Sequence, residues 1–443
     1  MYVERTIGSV SRQGRWRGNW ALWLSFFSRY TAGMQPGDVI AIFGREPTLS
    51  AWELYRLLNV TEFNVLSKEL AVVPPVLSPE KLQARAGGLV KVGVVEGSIA
   101  DLTALEHELM QRWPELVPQG STARIAFGGS VYDAGMPATR TIRRDLGVVL
   151  QRLKKHLVAH GRSARVVVAK EPTLPSSALV QGKILQQGFE ILLLMTPAGL
   201  VWGRTLATQD ISSYGDRDFG RPARDSVSGM LPPKVAQAMV NLTQPKSTDR
   251  LLDPFCGSGT ILQEALLLGL AKVHGSDISA KAVADTLENL AWLAQRYGVQ
   301  PEVEDVTQRD AKDLPRVLGP EAVDVIATEP YLGPPQRGVP RGRIILPLVS
   351  ALSRQYEGWL HALGQVVRVG GRVSMVWPFF HVEQHGYFLQ LQHAVGDAGF
   401  TVVAPPSWLT TQPWFRSTPR GSILYSRPDQ VVGREIITLL KHG

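Results

Sequence analysis

Cysteine occurs once in the 443 residues, at Cys256. No intramolecular disulfide can form and no cysteine-based metal cluster can be assembled, which makes a cytoplasmic protein the simple expectation. The histidines show no metal-ligand spacing, so no metal is expected. Long hydrophobic runs are lacking too. The apolar run 20–27 is far shorter than the roughly 20 residues that span a bilayer, and it lacks a small-residue cleavage site. Neither a membrane span nor a signal peptide is expected. Charged residues are sparse at 19% against 44% hydrophobic, a balance that supports packed cores rather than extended disorder. Acids are outnumbered 39 to 47, giving a net charge of +8. That is the sign expected of a protein with a polyanionic partner. About half of the excess sits at the start, where Arg5, Arg12, Arg15, Arg17 and Arg29 outweigh Glu4. Residues 1–34 read as a basic extension, unstructured or not translated.

The remaining length exceeds one ordinary core and divides by periodicity and punctuation. Residues 35–209 alternate apolar strands with amphipathic helices and read as an α+β region with a small sheet, completed by a helix and two strands within 176–204. Ser50-Ala51-Trp52-Glu53 has the form of a capping box opening a helix. A polar stretch rich in Gly and Arg, 210–228, is the linker candidate. Residues 229–443 repeat strand, glycine turn and helix, the pattern of a doubly wound α/β sheet.

The most informative segment is Leu251-Leu252-Asp253-Pro254-Phe255-Cys256-Gly257-Ser258-Gly259-Thr260, followed by a helical run. A strand ending in an acid and glycines, then turning into a helix, lets backbone N–H groups approach a ligand at the positive end of the helix. The three-glycine dinucleotide spacing is absent, and so is the Lys-Ser/Thr ending of a phosphate loop. The next strand ends at Asp277-Ile278, where an acid can take both hydroxyls of a ribose. A third leads to Asp310-Ala311, where an acid can accept an adenine amine. Each acid alone reads equally well as a helix cap or a solvated turn. Three at the ends of successive parallel strands point to an adenosyl cofactor.

With Phe43-Gly44-Arg45-Glu46-Pro47, Asp218-Phe219-Gly220-Arg221-Pro222-Ala223-Arg224-Asp225, Ser228-Gly229-Met230-Leu231-Pro232-Pro233-Lys234 and the loop 253–260, the chain resembles the THUMP-domain tRNA guanine-N2 methyltransferases, guanosine-10 type. The resemblance covers nearly all of 39–437. It implies a Rossmann-like catalytic domain that uses S-adenosyl-L-methionine, preceded by a ferredoxin-like and THUMP region that grips the acceptor end of tRNA. It makes Leu231, Pro232 and Lys234 candidate contacts at the methionine end of the cofactor, beside Asp253, Phe255, Gly257, Gly259 and Thr260. The residues themselves also allow that Pro232-Pro233 simply opens a helix.

Members of that family carry Asp/Asn-Pro-Pro-Tyr/Phe at the end of the fourth strand, where an acid or amide and a carbonyl hold the target amine and the aromatic stacks on the flipped base. Those bonds aim the nitrogen lone pair at the methyl group, so the catalysis is mostly alignment. This chain has Thr328-Glu329-Pro330-Tyr331. Pro330 and Tyr331 fit the pattern, whereas Thr328 and Glu329 depart from it. Either a Thr328 hydroxyl or a Glu329 carboxylate then serves as acceptor, or the target has changed, or activity has been lost. Downstream, Arg337, Arg341 and Arg343 lie in a Gly/Pro-rich basic segment that reads either as an RNA phosphate contact or as a solvated loop. Two competing readings stay open: a cofactor- and RNA-binding protein without transferase activity, and a DNA amino-methyltransferase. Gain of activity on replacing Thr328 with Asp would favour the former, and DNA binding above RNA binding at matched salt the latter.

Overall fold

The computed structural model describes residues 34–224, 230–299, 302–334, 342–382, 385–426 and 430–443. The basic extension expected over 1–34 therefore lies, save for Met34, outside the described residues.

The first half is built on one eight-stranded mixed sheet. Its strands are β1 (Val39–Phe43), β2 (Asn64–Val65), β3 (Leu70–Val73), β4 (Leu89–Ile99), β5 (Ile125–Asp133), β6 (Ala164–Val166), β7 (Phe189–Thr196) and β8 (Gly199–Thr208), in the order β2-β3-β1-β4-β8-β7-β5-β6. The sheet is larger than composition alone suggests, because β7 and β8 fold back antiparallel and insert between β4 and β5. Helices cover it with local signals in place. Asp101 accepts from the Ala104 N–H at 2.9 Å to start Leu102–Leu116, and Thr139 caps the helix Arg140–Ala159. The expected capping box at Ser50 is not one. The helix begins earlier, at Pro47, and Ser50 Oγ donates to the carbonyls of Glu46 and Gly88, both at 2.9 Å. Proline fits the first helical turn, where its missing N–H has no intrahelical acceptor to lose.

The second half carries β9 (Arg250–Asp253), β10 (Lys272–Asp277), β11 (Glu302–Gln308), β12 (Val323–Thr328), β13 (Val367–Val382), β14 (His385–Phe388), β15 (Phe400–Val402), β16 (Ile423–Tyr425) and β17 (Val432–Lys441). Their order is β11-β10-β9-β12-β13-β17-β15, with β14 on β13 and β16 on β17. Strands β9 to β13 are parallel, and β17 runs against β13. From β9 the chain builds outward through β10 and β11 on one side, then returns to add β12 on the other. The strand order reverses between β9 and β12, so the crevice beyond their carboxyl ends is where an open α/β sheet binds its ligand.

Of the linker candidate 210–228, the described part, 210–224, packs against the second half, and 225–228 lie outside the described residues. Ile211–Gly215 is helical and continues into a π-helical turn, Asp216–Gly220, packed on the second half. Arg217 is buried there against Glu264, at 2.6 Å. Two arginines that mimic a solvated segment are buried there, Arg217 on Glu264 and Arg221 on Thr260.

The two halves share one apolar core. Trp52, Leu54 and Leu58 of the first half cluster with Val235, Met239 and Leu242 of the helix Pro233–Leu242. Polar groups stitch the same seam. Arg56 Nε donates to Leu242 O at 3.1 Å, and Gln237 Nε2 to Ala84 O at 2.9 Å. Buried Glu53 accepts from Gly87 N, Gly88 N and Asn241 Nδ2 within 2.9 Å. Burial still pushes the Glu53 carboxyl up to about 7, because three neutral donors offset only part of the lost hydration.

Candidate active site

The loop between β9 and the helix Thr260–Leu267 lies at the reversal point. Gly257 and Gly259 adopt φ of +55° and +80°, the left-handed region that glycine enters without strain. The turn aims the start of the helix back across the strand ends. Two polar residues pin it from behind. Thr286 Oγ1 donates to Gly257 O at 2.8 Å, and Asn289 Nδ2 donates to Ser258 O at 2.8 Å and Ala223 O at 2.9 Å. Arg221 is buried and donates to Thr260 Oγ1 at 2.7 Å. The segment 217–224 therefore braces the glycine loop. These residues were not singled out from sequence, yet a signal existed: Thr286 and Asn289 fall on the stripe of Leu290 and Leu293 that the helix Ala280–Tyr297 buries, where polar residues need a reason.

Of the three strand-end acids, Asp277 accepts from Gly257 N at 3.1 Å and Ser279 N at 2.9 Å, so it organises the loop and the next helix start together. Ile278 beside it is 70% exposed, an apolar surface at the mouth of the crevice. Asp310 caps the short turn Ala311–Asp313 through Lys312 N at 3.0 Å, and Ala311 is buried. Asp253 is 2% exposed; its Oδ1 accepts from Phe255 N at 3.2 Å and from Thr328 Oγ1 at 2.7 Å. Burial pushes its carboxyl up to about 7, and the charges of Asp277 and Glu329 push the same way. The Phe255 ring turns away, edge-on to Trp359 at 4.7 Å.

Strand β12 delivers the second half of the site. Thr328 is fully buried, with its hydroxyl on Asp253, and Pro330 is buried behind it. Tyr331 is 53% exposed, while its carbonyl accepts from Tyr356 Oη at 3.1 Å, which fixes the backbone and leaves the ring outward. Glu329 does not point to a ligand. Arg434 on β17 holds its carboxylate with Nε at 2.5 Å and Nη2 at 3.0 Å. The Glu329 carboxylate considered from sequence as an acceptor is thus engaged in a bidentate ion pair. Nothing in the sequence around Arg434 announces this pairing across 105 residues.

Leu231 is buried in the shared core and Pro232 caps the helix that follows. Lys234 is a correction. Its ammonium lies against Gln209 Oε1 and, at 3.5 Å, Leu89 O, facing the first half near Glu53 rather than the crevice beyond the strand ends. Burial lowers it to about 8, and the pull of Glu53 resists that shift. Arg337 and Arg341 lie outside the described residues; Arg343 falls in the helix Gly342–Val366, its side chain outside what is described.

Residues 221–365 match the family model described as UPF0020, RMKL-like, methyltransferase domain. The chain is 46% identical over 152 residues to the tRNA (guanine(10)-N2)-dimethyltransferase of Methanothermobacter thermautotrophicus, covering 34% of this chain and 40% of the relative. It is 35% identical over 182 residues to the enzyme of that name from Methanocaldococcus jannaschii, covering 39% and 46%. A tRNA (guanine(6)-N2)-methyltransferase of Thermus thermophilus shares 30% over 158 residues, 34% of this chain and 40% of that protein. The aligned stretches thus span less than half the length of these relatives. Among solved structures, TrmN from Thermus thermophilus aligns over 91% of this chain and 99% of its own, at 19% identity and a TM-score of 0.49.

Proposed function

We propose that the chain is an S-adenosyl-L-methionine-dependent methyltransferase that modifies the exocyclic N2 amine of a guanine in tRNA. The observation that carries this reading is the meeting, at the strand-order reversal, of the glycine loop with the Thr328–Tyr331 segment, inside the stretch that resembles tRNA guanine-N2 methyltransferases.

The residues fit the cofactor. Asp277 can take the ribose hydroxyls on the outer lone pairs of a carboxylate already oriented by Gly257 and Ser279. Asp310 and Ala311 face the adenine edge, and Ile278 offers its exposed side chain to the ring. Gly257 and Gly259 shape the turn that brings the helix start at Thr260 to the crevice, where its positive end suits the carboxylate end, with Leu231 and Pro232 alongside. Asp253 supplies the negative charge that a cationic aminoacyl group needs. When bound, the cofactor supplies an electrophilic methyl on a sulfonium. Tyr331 stacks on the extruded base and Pro330 shapes the turn.

The first half is read as the THUMP-containing RNA-binding region, and Arg337, Arg341 and Arg343 as RNA phosphate contacts. The intramolecular engagement of both Thr328 and Glu329 also supports a second reading, a cofactor- and RNA-binding protein with altered transferase activity. Incubation with methyl-labelled cofactor and unmodified tRNA, followed by nucleoside mass spectrometry, separates them. N2-methylated guanosine sustains the first reading; cofactor and tRNA binding without any label sustains the second.

A further inference from the structure

Two short segments that the site above does not use, Phe43-Gly44-Arg45-Glu46-Pro47 and Trp414-Phe415-Arg416, lie about as far apart as the sequence allows, and the fold brings them together on the seam between the halves. Phe43 and Phe415 are buried in the shared core, and the rings of Phe43 and Trp414 stand 6.3 Å apart. Arg416 N donates to Thr48 Oγ1 at 3.0 Å, in the first turn of the helix Pro47–Leu58. Gly44 N donates to Gly88 O at 2.8 Å, which holds the bend between β1 and that helix.

Packing takes up the apolar members of both segments and leaves their cations outside. Arg45 and Arg416 are exposed, and neither guanidinium has a carboxylate partner among the described residues. Glu46, next to Arg45, forms an ion pair with neither. Arg416 uses one N–H, from Nη2 to Ser426 Oγ at 2.9 Å, and the other donors of its planar fork stay available. The positive charge is felt nearby: partial burial and then Arg416 hold the exposed His381 imidazole below its ordinary range. Two cations on opposite sides of a seam, without a counter-ion, suit a polyanion.

The place of this patch says which polyanion. Ser426 follows β16, whose Tyr425 is in register with Arg434 on β17, and Arg434 holds Glu329, two residues before the exposed Tyr331. The patch therefore stands between the first half and the Thr328–Tyr331 segment. A nucleic acid held by the first half and read at Tyr331 has to pass over it.

We propose that Arg45 and Arg416 form a clamp, one jaw from each half, for backbone phosphates of the RNA where it crosses the seam. This rests on the RNA methyltransferase reading above. Phosphate contacts of this kind carry no sequence information and set the register of the substrate, so the clamp fixes how far along the RNA the base presented to Tyr331 lies.

The test measures the affinity of the full chain for unmodified tRNA across a series of salt concentrations. Arg45→Gln and Arg416→Gln are each expected to reduce the slope of log affinity against log salt by about one, and the double variant by about two. Arg45→Lys with Arg416→Lys keeps the charge and is expected to keep the wild-type slope. Cofactor affinity and Tm are expected to stay unchanged. If Arg416→Gln lowers Tm, Arg45→Gln alone, whose side chain makes no described bond, still reads the change of one. Arg316→Gln removes another exposed charge from the second half and is expected to leave the slope as it was. A double variant with the wild-type slope, or an Arg316 variant that loses as much, overturns the clamp and leaves the methyltransferase reading standing. A wild-type protein that binds polyglutamate but no tRNA overturns the RNA reading and the clamp with it.

Discussion

Arg434 grips both oxygens of Glu329, and each side chain is nearly removed from solvent, at 11% and 13% exposure. In the related motif a proline stiffens this position; here an ion pair to the neighbouring hairpin does so. Arg434→Ala strands a buried carboxylate beside Asp253 and is expected to lower both Tm and kcat, whereas Glu329→Gln with Arg434→Met restores most of the Tm. A double-mutant cycle on thermal or denaturant stability should return a coupling of about 0.5–3 kcal/mol. Additive single effects would show that the pair is incidental.

Asp253 makes stability depend on pH. Its folded value of about 7 lies above the 3.8 of an open chain, so between those values the folded state holds a proton that the unfolded state has released. The stability associated with this group is full below 3.8 and is lost as the pH rises through 7. Asp253→Asn removes the dependence. The expected result is a Tm gap, variant minus wild type, that is larger at pH 7.5 than at pH 5.5, read by calorimetry without cofactor. A gap independent of pH would place Asp253 in an ordinary solvated state.

Gly87 sits on the seam between the halves, and a Cβ there would stand 2.3 Å from Lys234 O. Because that atom is backbone, it cannot rotate away. Gly87→Ala is expected to force the seam open and to cost more than the 1–3 kcal/mol typical of an overpacked core. Urea denaturation would measure it, and a loss below 0.5 kcal/mol would show that the seam is compliant.

Arg217 and Glu264 form a second buried pair, 7% and 2% exposed, under the helix that follows the glycine loop. Arg217→Met alone leaves Glu264 uncompensated and is expected to cost about 3–5 kcal/mol. Adding Glu264→Leu should return most of it, while cofactor affinity, measured by calorimetry, stays reduced because the pair that anchors segment 217–224 to the helix Thr260–Leu267 is gone. Full recovery of affinity would confine the pair to folding.

Local signals made much of this legible. The strand at 39–43 is an apolar run, Leu251-Leu252 and Val325-Ile326-Ala327 mark two more, and the glycine loop declared its own geometry. What escaped was set by distance in sequence. Lys234 sits in a motif suggestive of the cofactor, yet its ammonium goes to Gln209 and to the carbonyl of Leu89, 145 residues earlier. Segment 210–224 has the composition of a linker because its arginines are satisfied by acids and hydroxyls that only the fold brings near. Arg434 could not be connected with Glu329 before β17 was known to run beside β13, next to β12.

The core shared by Trp52, Met239 and their neighbours has a consequence for how the molecule can fail. A chain severed near the start of the helix Pro233–Leu242 would leave Val235, Met239 and Leu242 bare on the very half that holds the glycine loop. Such a fragment would clump or be degraded before it could act. Folding thus ties the half that carries the glycine loop to the presence of the half that covers it.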